Sequence, residues 1–499
     1  MLGARSVWQR PSSATMAASP SVPMIDHEQA ASAAKPHEAC GVFGIFAPGV
    51  DVARATYYGL YTLQHRGQES AGIAVADGKS IRLRRDMGLV SQVFNDAQLS
   101  DLRGDVAIGH CRYSTTGASQ LANAQPIIVT DAPGSPQAGE PLAVAHNGNL
   151  VQVDAIRRRL TELGTKFLST SDSEVIIQLV KKTSGQTWLD RIARALATLS
   201  GAFSLTFASS TELFAARDPW GLRPLCLGRL AQGWVVASES CALDAVGAQL
   251  EREIRPGEIV RISSTGVTAV QYAEPSPHLC SFEFIYFARP DSTIDGRNVH
   301  SARVALGRQL AIEHPVSADM VMPVPESGIP MAVGYARESR IPYGDGLVKN
   351  RYIGRTFISP TQLERDRGIQ LKFNPLAAEL ENKRLVVIED SLIRGTTSRP
   401  LVAMLRRAGA REIHLRIASP PYRYPCHFGM DTSRRSELIA ATHTHEEILA
   451  HTGADSLEYL SIDGLIAAVG RHETHSCRAC LDGRYPMPVQ PELEALAKA

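Results

Sequence analysis

Two adjacent carboxylates and a group of hydroxyl residues follow an apolar stretch late in the chain. Residues 385–388 (LVVI) predict a buried parallel strand, because they are apolar and mostly β-branched. Glu389 and Asp390 come next, and a loop rich in glycine and hydroxyls leads into a helix predicted from Pro400 to about Arg407. Open α/β sheets bind ligands where their strands end, and a helix N-terminus attracts phosphate. The segment therefore predicts a phosphate site whose acids suit a ribose diol or Mg²⁺; the alternative is an ordinary loop with surface acids.

Two earlier segments carry residue types that could serve the same site. Residues 320–324 predict a second apolar strand, which Ser327 follows, and a helix is predicted from Pro330. Because parallel strands present their carboxyl ends at one edge, we expect Ser327 at the same ligand edge. Residues 349–355 contain three cations, which suit a pyrophosphate group but also occur in basic surface loops.

The run of residues 385–398 resembles the phosphoribosyl pyrophosphate (PRPP) loop of type I phosphoribosyltransferases. The resemblance implies a Mg²⁺ site on Ser327, Glu389 and Asp390. It also implies PRPP binding by two groups of residues: Lys349 and Arg351 in a closing loop, and Glu389, Asp390, Ser391, Arg394, Gly395, Thr396, Thr397 and Ser398 after the strand. Such sites usually have an aspartate where this chain has Glu389. The extra methylene displaces that carboxylate by roughly 1.5 Å, so we expect its contact to be weakened.

Residues 37–45 (HEACGVFGI) resemble the start of the glutamine amidotransferases that use an N-terminal nucleophile. In that class a leader is removed and the cysteine, here Cys40, becomes the first residue. A thiol of pKa about 8.5 then lies beside its own α-amine, of pKa about 7.7–8.0, which can act as its general base. A cysteine in an apolar run is also typical of a buried strand.

Three later segments resemble the glutamine site of the same class. The resemblance implies that Arg112 binds the glutamine α-carboxylate and that Asp172 meets its α-amino group. It implies that Asn147 and the Gly148 N–H stabilise the oxyanion. From residue types alone, Arg112 could be a surface ion-pair residue and Asn147-Gly148 a turn. Ser171 or Asp172 could equally be the N-cap of a helix over residues 175–179.

With both half-sites in one chain, residues 40–486 resemble the amidophosphoribosyltransferases. The resemblance implies an α+β N-terminal-nucleophile domain, an αββα sandwich, at residues 40–275. An α/β phosphoribosyltransferase domain, a parallel sheet flanked by helices, is expected at residues 276–470, after a proline-rich break at 273–277. Residues 1–39 would form a leader or propeptide, and residues 471–499 a C-terminal segment with a loose tail.

The resemblance further implies a reaction and its partners. Glutamine-derived ammonia would be transferred to PRPP, giving 5-phosphoribosylamine, glutamate and pyrophosphate, the first committed step of purine (IMP) biosynthesis. Purine nucleotides are expected as feedback inhibitors, and a homo-oligomer, dimer or homotetramer, is expected. The alternative is a catalytically inactive PRPP-sensing regulator or paralogue. A DNA-binding regulator should show a basic patch or a helix-turn-helix, and neither is evident.

The chain contains eight cysteines, which in a cytoplasmic protein do not predict disulfides. The spacing of Cys477 and Cys480 is compatible with a zinc site or a redox pair. One branch of the family holds a [4Fe-4S] cluster on four thiolates, and the matching positions here are Cys280, Cys426, Cys477 and Cys480. The resemblance therefore implies this cluster, together with Mg²⁺, as cofactors. Cys111, Cys226 and Cys241 are expected to be inert core thiols.

Composition sets broad limits on the protein. The chain has 499 residues, 44% of them hydrophobic, and a net charge of +1, so nothing indicates nucleic acid or a membrane as partner. Residues 1–25 contain no acid and include Arg5 and Arg10, which is faintly typical of a transit peptide. A disordered propeptide or a later start at Met16 or Met24 fits as well. We expect cleavage after Ala39 and a cytoplasmic enzyme, with organelle targeting as the alternative.

Overall fold

The structure, a computed structural model, describes residues 40–113, 119–130, 139–151, 153–350 and 371–489. Residues 41–271 contribute two sheets built from largely apolar, β-branched segments. Their strands are β1 (Gly41–Phe46), β2 (Ser70–Ala76), β3 (Ile81–Met87), β4 (Val106–Arg112), β5 (Ile127–Thr130), β6 (Pro141–Leu150), β7 (Gly201–Ala208), β8 (Leu213–Arg217), β9 (Cys226–Leu230), β10 (Gly233–Ala237), β11 (Gln249–Glu253), β12 (Glu258–Ser263) and β13 (Gly266–Gln271).

Both of these sheets are antiparallel. The first has the strand order β11-β9-β10-β1-β4-β2-β3, and the second has the order β13-β12-β8-β7-β6-β5. In the first sheet, Gly41 of β1 lies opposite Cys111 of β4. In the second, Asn147 of β6 lies opposite Ser204 of β7. Strands β1, β4 and β6 thus position most of the predicted glutamine-site residues. Cys40 directly precedes β1, Arg112 ends β4, and Asn147 and Gly148 lie within β6.

Helices cover the outer faces of the two sheets. They are α1 (Val52–Thr62), α2 (Val90–Val93), α3 (Asp96–Ser100), α4 (Val153–Glu162), α5 (Asp172–Lys182), α6 (Trp188–Leu196) and α7 (Ser240–Asp244). One apolar cluster joins the inner faces, for example Val42 and Ile108 with Leu213. Separate clusters pack α1 on the first sheet and α5 and α6 on the second. The predicted αββα sandwich is confirmed.

The rest of the described chain surrounds a parallel sheet. The strands in this part of the chain are β14 (Leu279–Cys280), β15 (Thr293–Ile294), β16 (Arg297–Asn298), β17 (Met320–Pro323), β18 (Leu347–Lys349), β19 (Phe373–Pro375), β20 (Arg384–Glu389), β21 (Glu412–Ile417), β22 (Ser456–Tyr459) and β23 (Ser476–Cys477). Strands β17-β20-β21-β22 form the sheet in that order, all parallel. Apolar clusters pack on both faces, as the near-continuous apolar strands require.

The helices of this part are α8 (Val299–Glu313), α9 (Gly328–Ser339), α10 (Ala377–Leu380), α11 (Ser398–Arg407), α12 (Ile439–Thr442), α13 (His445–Thr452), α14 (Ile462–Val469) and α15 (Ala479–Asp482). The helices predicted from Pro330 and Pro400 thus begin two residues earlier, because proline fits the first turn, where no intrahelical N–H is needed. A parallel sheet flanked by helices is confirmed.

The proline-rich break at residues 273–277 lies in coil between β13 and β14. Strand β14 pairs in parallel with β23, which places Cys280 opposite Cys477. The domain limits themselves stay a prediction. The leader, Arg351 and most of the closing loop lie outside the described residues. Within the described ranges, no helix is long and apolar enough to cross a membrane.

Candidate functional site

Cys40 lies immediately before β1 and is buried next to the end of β4. Its Sγ is 3.4 Å from the Tyr113 backbone N and donates to the Tyr113 carbonyl at 3.3 Å. Burial raises the pKa of the thiol, although the Tyr113 bond and the charge of Arg112 act against this. Glu69 and Asp172 are the other charges that act on it. A thiol held protonated in this way needs a base before it can attack.

Arg112 is the last residue of β4, and its side chain is only 3% exposed. Its Nη1 lies 3.4 Å from Glu69 Oε2. Arg112 is therefore paired with an acid, as the ion-pair alternative predicted, but it is buried beside Cys40 rather than on the surface. A buried guanidinium fork near the thiol can receive a carboxylate.

Asn147 and Gly148 lie within β6 rather than in a turn. The Asn147 side chain is fully buried, and neither its Oδ1 nor its Nδ2 has a hydrogen-bond partner in the structure. An unmade bond of this kind costs about 1–3 kcal/mol, so a buried orphan amide indicates a group kept for a ligand. Gly148 has φ +148°, and a Cβ there would lie 2.0 Å from the Ala202 carbonyl O. Only glycine fits this position.

Asp172 is the first residue of α5, and Ser171 caps the helix by accepting from the Ser173 N–H. Asp172 Oδ2 accepts from the Leu150 N–H at 3.2 Å, and Oδ1 lies 3.6 Å from His146 Nδ1. Burial raises the pKa of Asp172, but the contacts with His146 and Leu150 outweigh it and hold the pKa below its ordinary value. The carboxylate is thus ionised and suited to an ammonium group.

The residues of the predicted phosphate site lie where β20 ends. Asp390 is fully buried, and its Oδ1 accepts from Ser391 Oγ at 2.6 Å. Its Oδ2 accepts from Ser327 Oγ, which follows the neighbouring strand β17. The structure therefore brings Ser327 to the acid pair, as the sequence predicted. Glu389 is the last residue of β20 and is 7% exposed.

A hydrogen bond within the loop between β20 and α11 holds the shape of that loop. Gly395 has φ +72°, and its carbonyl accepts from Ser398 Oγ at 3.1 Å. Thr396 Oγ1 is buried without a hydrogen-bond partner in the structure. Thr397 stands at the N-cap of α11, but its side chain makes no capping bond. The hydroxyl of Thr396 and the first N–H groups of a ten-residue helix are thus available to a phosphate.

The predicted cations of the site have different surroundings. Lys349 Nζ lies 3.4 Å from Glu326 Oε2, next to Ser327 in the chain. Arg394 instead donates to Glu437 Oε2 at 2.9 Å and to the Asp431 carbonyl at 2.8 Å. The structure therefore places Lys349 beside the acidic edge and holds Arg394 against the segment that follows residue 430.

Four cysteines from three distant parts of the chain line one pocket. They share it with mostly apolar neighbours and one cation; the pocket residues are Leu222, Arg223, Cys280, Cys426, Phe428, Met430, Cys477, Ala479 and Cys480. All four thiols are free. Burial raises the pKa of Cys280 to about 11 and that of Cys480 well above its ordinary value. Across the described residues, no group of three or more His, Cys, Asp or Glu side chains is arranged to hold a metal ion.

Sequence reasoning missed two buried polar groupings. His146 lies beside Asp172, and its Nδ1 is also 3.2 Å from Ser173 Oγ. Arg66 bridges Glu239 and Glu283, three fully buried side chains that are distant in sequence. The sequence contains a signal only at Glu283, a charged residue inside an apolar run; Arg66 lies in a polar stretch, and only the fold pairs residues that are 173 and 217 positions apart.

Comparison with known proteins gives consistent findings. The model of the glutamine amidotransferase domain family matches residues 110–245. The amidophosphoribosyltransferase of Mycobacterium tuberculosis is 52% identical over 474 residues, covering 93% of this chain and 89% of that protein. The amidophosphoribosyltransferase of Bacillus subtilis is 45% identical over 458 residues, covering 91% of this chain and 95% of that protein.

Two solved structures extend the similarity to the fold. One is glutamine PRPP amidotransferase from Bacillus subtilis in complex with ADP and GMP, with a TM-score of 0.85 and 44% identity over 91% of this chain and 98% of that chain. The other, described as the allosteric regulatory enzyme of purine biosynthesis, has a TM-score of 0.86 and 44% identity over 92% of this chain and 98% of that chain.

Proposed function

This chain belongs to the amidophosphoribosyltransferase family, the enzymes of the first step of purine biosynthesis, and from that premise we propose which of its residues carry the two halves of the reaction. Residues 40–275 would release ammonia from glutamine, and residues 276–470 would transfer it to PRPP. The observation that carries the proposal is the Asn147 amide, which is fully buried and has no hydrogen-bond partner in the structure.

In the first half, Cys40 attacks the side-chain amide carbon of glutamine. Once residues 1–39 are removed, the α-amine of Cys40 takes the thiol proton. This amine is the base that the thiol needs, because burial raises its pKa. Asn147 and the Gly148 N–H donate to the oxyanion. Ammonia leaves, and water hydrolyses the thioester to glutamate. Arg112 pairs with the α-carboxylate and Asp172 with the α-ammonium group.

In the second half, the loop of Thr396, Thr397 and Ser398 holds PRPP through its hydroxyls and the N–H groups of α11. Glu389 and Asp390 meet the ribose diol or a bound cation. Ammonia attacks the anomeric carbon with inversion, and pyrophosphate departs toward Lys349 and Arg351. The oxygen ligands of Asp390 and Ser327 suit Mg²⁺, which when bound neutralises charge on the pyrophosphate.

The PRPP half is tested with ammonia as the nitrogen donor. Asp390→Asn should abolish pyrophosphate release with both glutamine and ammonia, while Cys40 still reacts with a diazoketone analogue of glutamine. Asp319→Asn is the matched control, because Asp319 precedes β17 at the opposite end of the sheet and pairs with Arg384. Full ammonia-dependent activity in Asp390→Asn would contradict the assignment.

The four pocket thiols fit a [4Fe-4S] cluster, and we propose that Cys280, Cys426, Cys477 and Cys480 hold it. Free thiols that surround one enclosed, mainly apolar pocket supply the ligand set such a cluster takes. Because β14 pairs with β23, a cluster would fasten the C-terminal segment to residue 280.

Metal analysis of protein purified without oxygen tests this proposal. About four iron atoms per chain, lost in Cys480→Ser and kept in Cys226→Ser, are expected. Cys226 is a buried thiol that donates to the Ala237 carbonyl, outside the pocket. Zinc in place of iron would refute the cluster.

We propose the regulation and assembly that the family resemblance implies. A related enzyme was solved with ADP and GMP, which supports feedback inhibition of this enzyme by purine nucleotides. A homotetramer, the removal of the leader and a cytoplasmic location complete the proposal. Inhibition by GMP and ADP in the glutamine-dependent assay, and a tetramer mass in analytical ultracentrifugation, are the expected results.

A further inference from the structure

A buried group of charges lies between the glutaminase sheets and the cysteine pocket. It contains two guanidinium and two carboxylate side chains that are at most 1% exposed: Arg66, Arg223, Glu239 and Glu283. Arg66 contacts both carboxylates, and Glu239 also meets His65 at 2.7 Å. Arg66 is therefore the cation that contacts both acids, whereas Arg223 has a single 3.3 Å contact, with Glu283.

Arg223 faces the cysteine pocket on its other side. Its side chain lines the pocket, and its Nε and Nη2 donate to the Phe428 carbonyl at 3.3 and 3.0 Å. The Phe428 N–H in turn points at Cys426 Sγ at 3.4 Å. The guanidinium also lies over the Phe287 ring, 5.3 Å from its centroid. These contacts fix the position of a cation at the wall of the pocket.

The charge on Arg223 is secure despite its burial. A guanidinium is not deprotonated in proteins, so Arg223 keeps its charge at the wall of the pocket, with Glu283 3.3 Å away. Arg223 also acts electrostatically on Cys280 and Cys477, so it faces two of the three chain segments that line the pocket. A permanent cation among four thiols is the counter-charge that a thiolate cluster needs.

We propose that Arg223 is the fixed counter-charge of the cysteine pocket and sets the reduction potential of the group bound there. This inference rests on the proposed cluster. Four thiolates and a [4Fe-4S] core carry net negative charge, and one-electron reduction adds another. A buried cation at the pocket wall stabilises the reduced form more than the oxidised form, which makes the midpoint potential more positive. Glu283, on the far side of Arg223, has the opposite effect.

The experiment compares charge variants of the holoenzyme. Anaerobic samples of wild type, Arg223→Gln, Arg223→Lys, Glu283→Gln and Arg191→Gln are reduced stepwise with dithionite, and the cluster is followed by electron paramagnetic resonance. Arg191 is the matched control: it is also buried, lies over an aromatic ring (Trp188, 4.5 Å) and donates to backbone carbonyls, but on α6. Iron per chain is measured in each sample.

If the Arg223 and Glu283 variants shift the midpoint potential of the cluster in opposite directions, the shifts arise from charge. Arg223→Gln should shift the midpoint to a more negative potential and Glu283→Gln to a more positive one. The midpoint potentials of Arg223→Lys and Arg191→Gln should both stay close to that of wild type. If Arg223→Gln holds no iron, retention of iron by Arg223→Lys supports the same charge requirement. Unchanged potentials in iron-loaded Arg223→Gln and Glu283→Gln would overturn this inference alone, whereas wild type without iron would overturn the cluster as well.

Discussion

Replacing Asn147 by alanine separates catalysis from stability. In the resting structure the Asn147 amide is fully buried and makes no hydrogen bond, so Asn147→Ala breaks none. Loss of two unsatisfied polar atoms relieves a desolvation cost, which offsets the small cavity left behind. The free energy of unfolding should therefore change by less than about 1 kcal/mol.

The cost of Asn147→Ala should appear in the glutamine reaction. Removal of one oxyanion donor lowers kcat by about 10²–10³, equivalent to about 2.7–4 kcal/mol of transition-state stabilisation. The Gly148 N–H remains, so the loss should not be complete. Pyrophosphate release from PRPP with glutamine should fall by this factor, whereas release with ammonia should match wild type. Urea unfolding gives the stability in parallel.

Asn123→Ala is the matched control for this prediction. Asn123 is also a fully buried asparagine, but it exchanges hydrogen bonds with Thr170 at 2.9 and 3.0 Å. Asn123→Ala should lower stability by about 1–3 kcal/mol and leave kcat nearly unchanged. The oxyanion assignment is refuted if Asn147→Ala keeps glutamine activity within threefold of wild type, or loses ammonia activity to the same extent.

Three further perturbations follow from buried contacts. Arg66→Ala leaves Glu239 and Glu283 without their main partner and should lower the free energy of unfolding by about 3–5 kcal/mol in urea; a loss below about 1 kcal/mol would contradict the pairing. Burial raises the pKa of Asp218 to about 6, so the folded state binds its proton more tightly than the unfolded state. The contribution of Asp218 to the free energy of unfolding should thus fall by about 3 kcal/mol as pH rises from about 4 to about 6, and the difference in stability between wild type and Asp218→Asn should change accordingly in urea. Ser327→Ala removes one bond to Asp390 and should raise the KM for PRPP about tenfold in the ammonia assay; an unchanged KM would exclude Ser327 from the site.

Local sequence patterns predicted the elements that carry the site. The apolar run 385–388 lies within β20, and the polar residues after β17 and β20 meet because neighbouring parallel strands end at one edge. Ser171 caps α5 as its residue type suggested. These features depend on residues close in sequence or on the general geometry of parallel sheets, and both can be read from one chain.

Long-range polar contacts could not be predicted in the same way. The pairing of Arg66 with Glu283 spans 217 residues, and the contact of Arg223 with Phe428 spans 205. Neither residue differs locally from an exposed arginine, because burial is decided by the packing of distant elements. The four pocket cysteines were grouped only by family resemblance, since the pairing of β14 with β23 is a property of the fold.

The central claim is that one chain couples a Cys40 glutaminase to a PRPP transferase. Pyrophosphate release by anaerobically purified wild type and Cys40→Ala, each supplied with glutamine or with ammonia, tests it most directly. We predict that wild type uses both donors and that Cys40→Ala uses ammonia alone. Equal use of glutamine by Cys40→Ala would contradict the nucleophile assignment. No release by wild type with either donor would contradict the account as a whole and favour a PRPP-binding regulator.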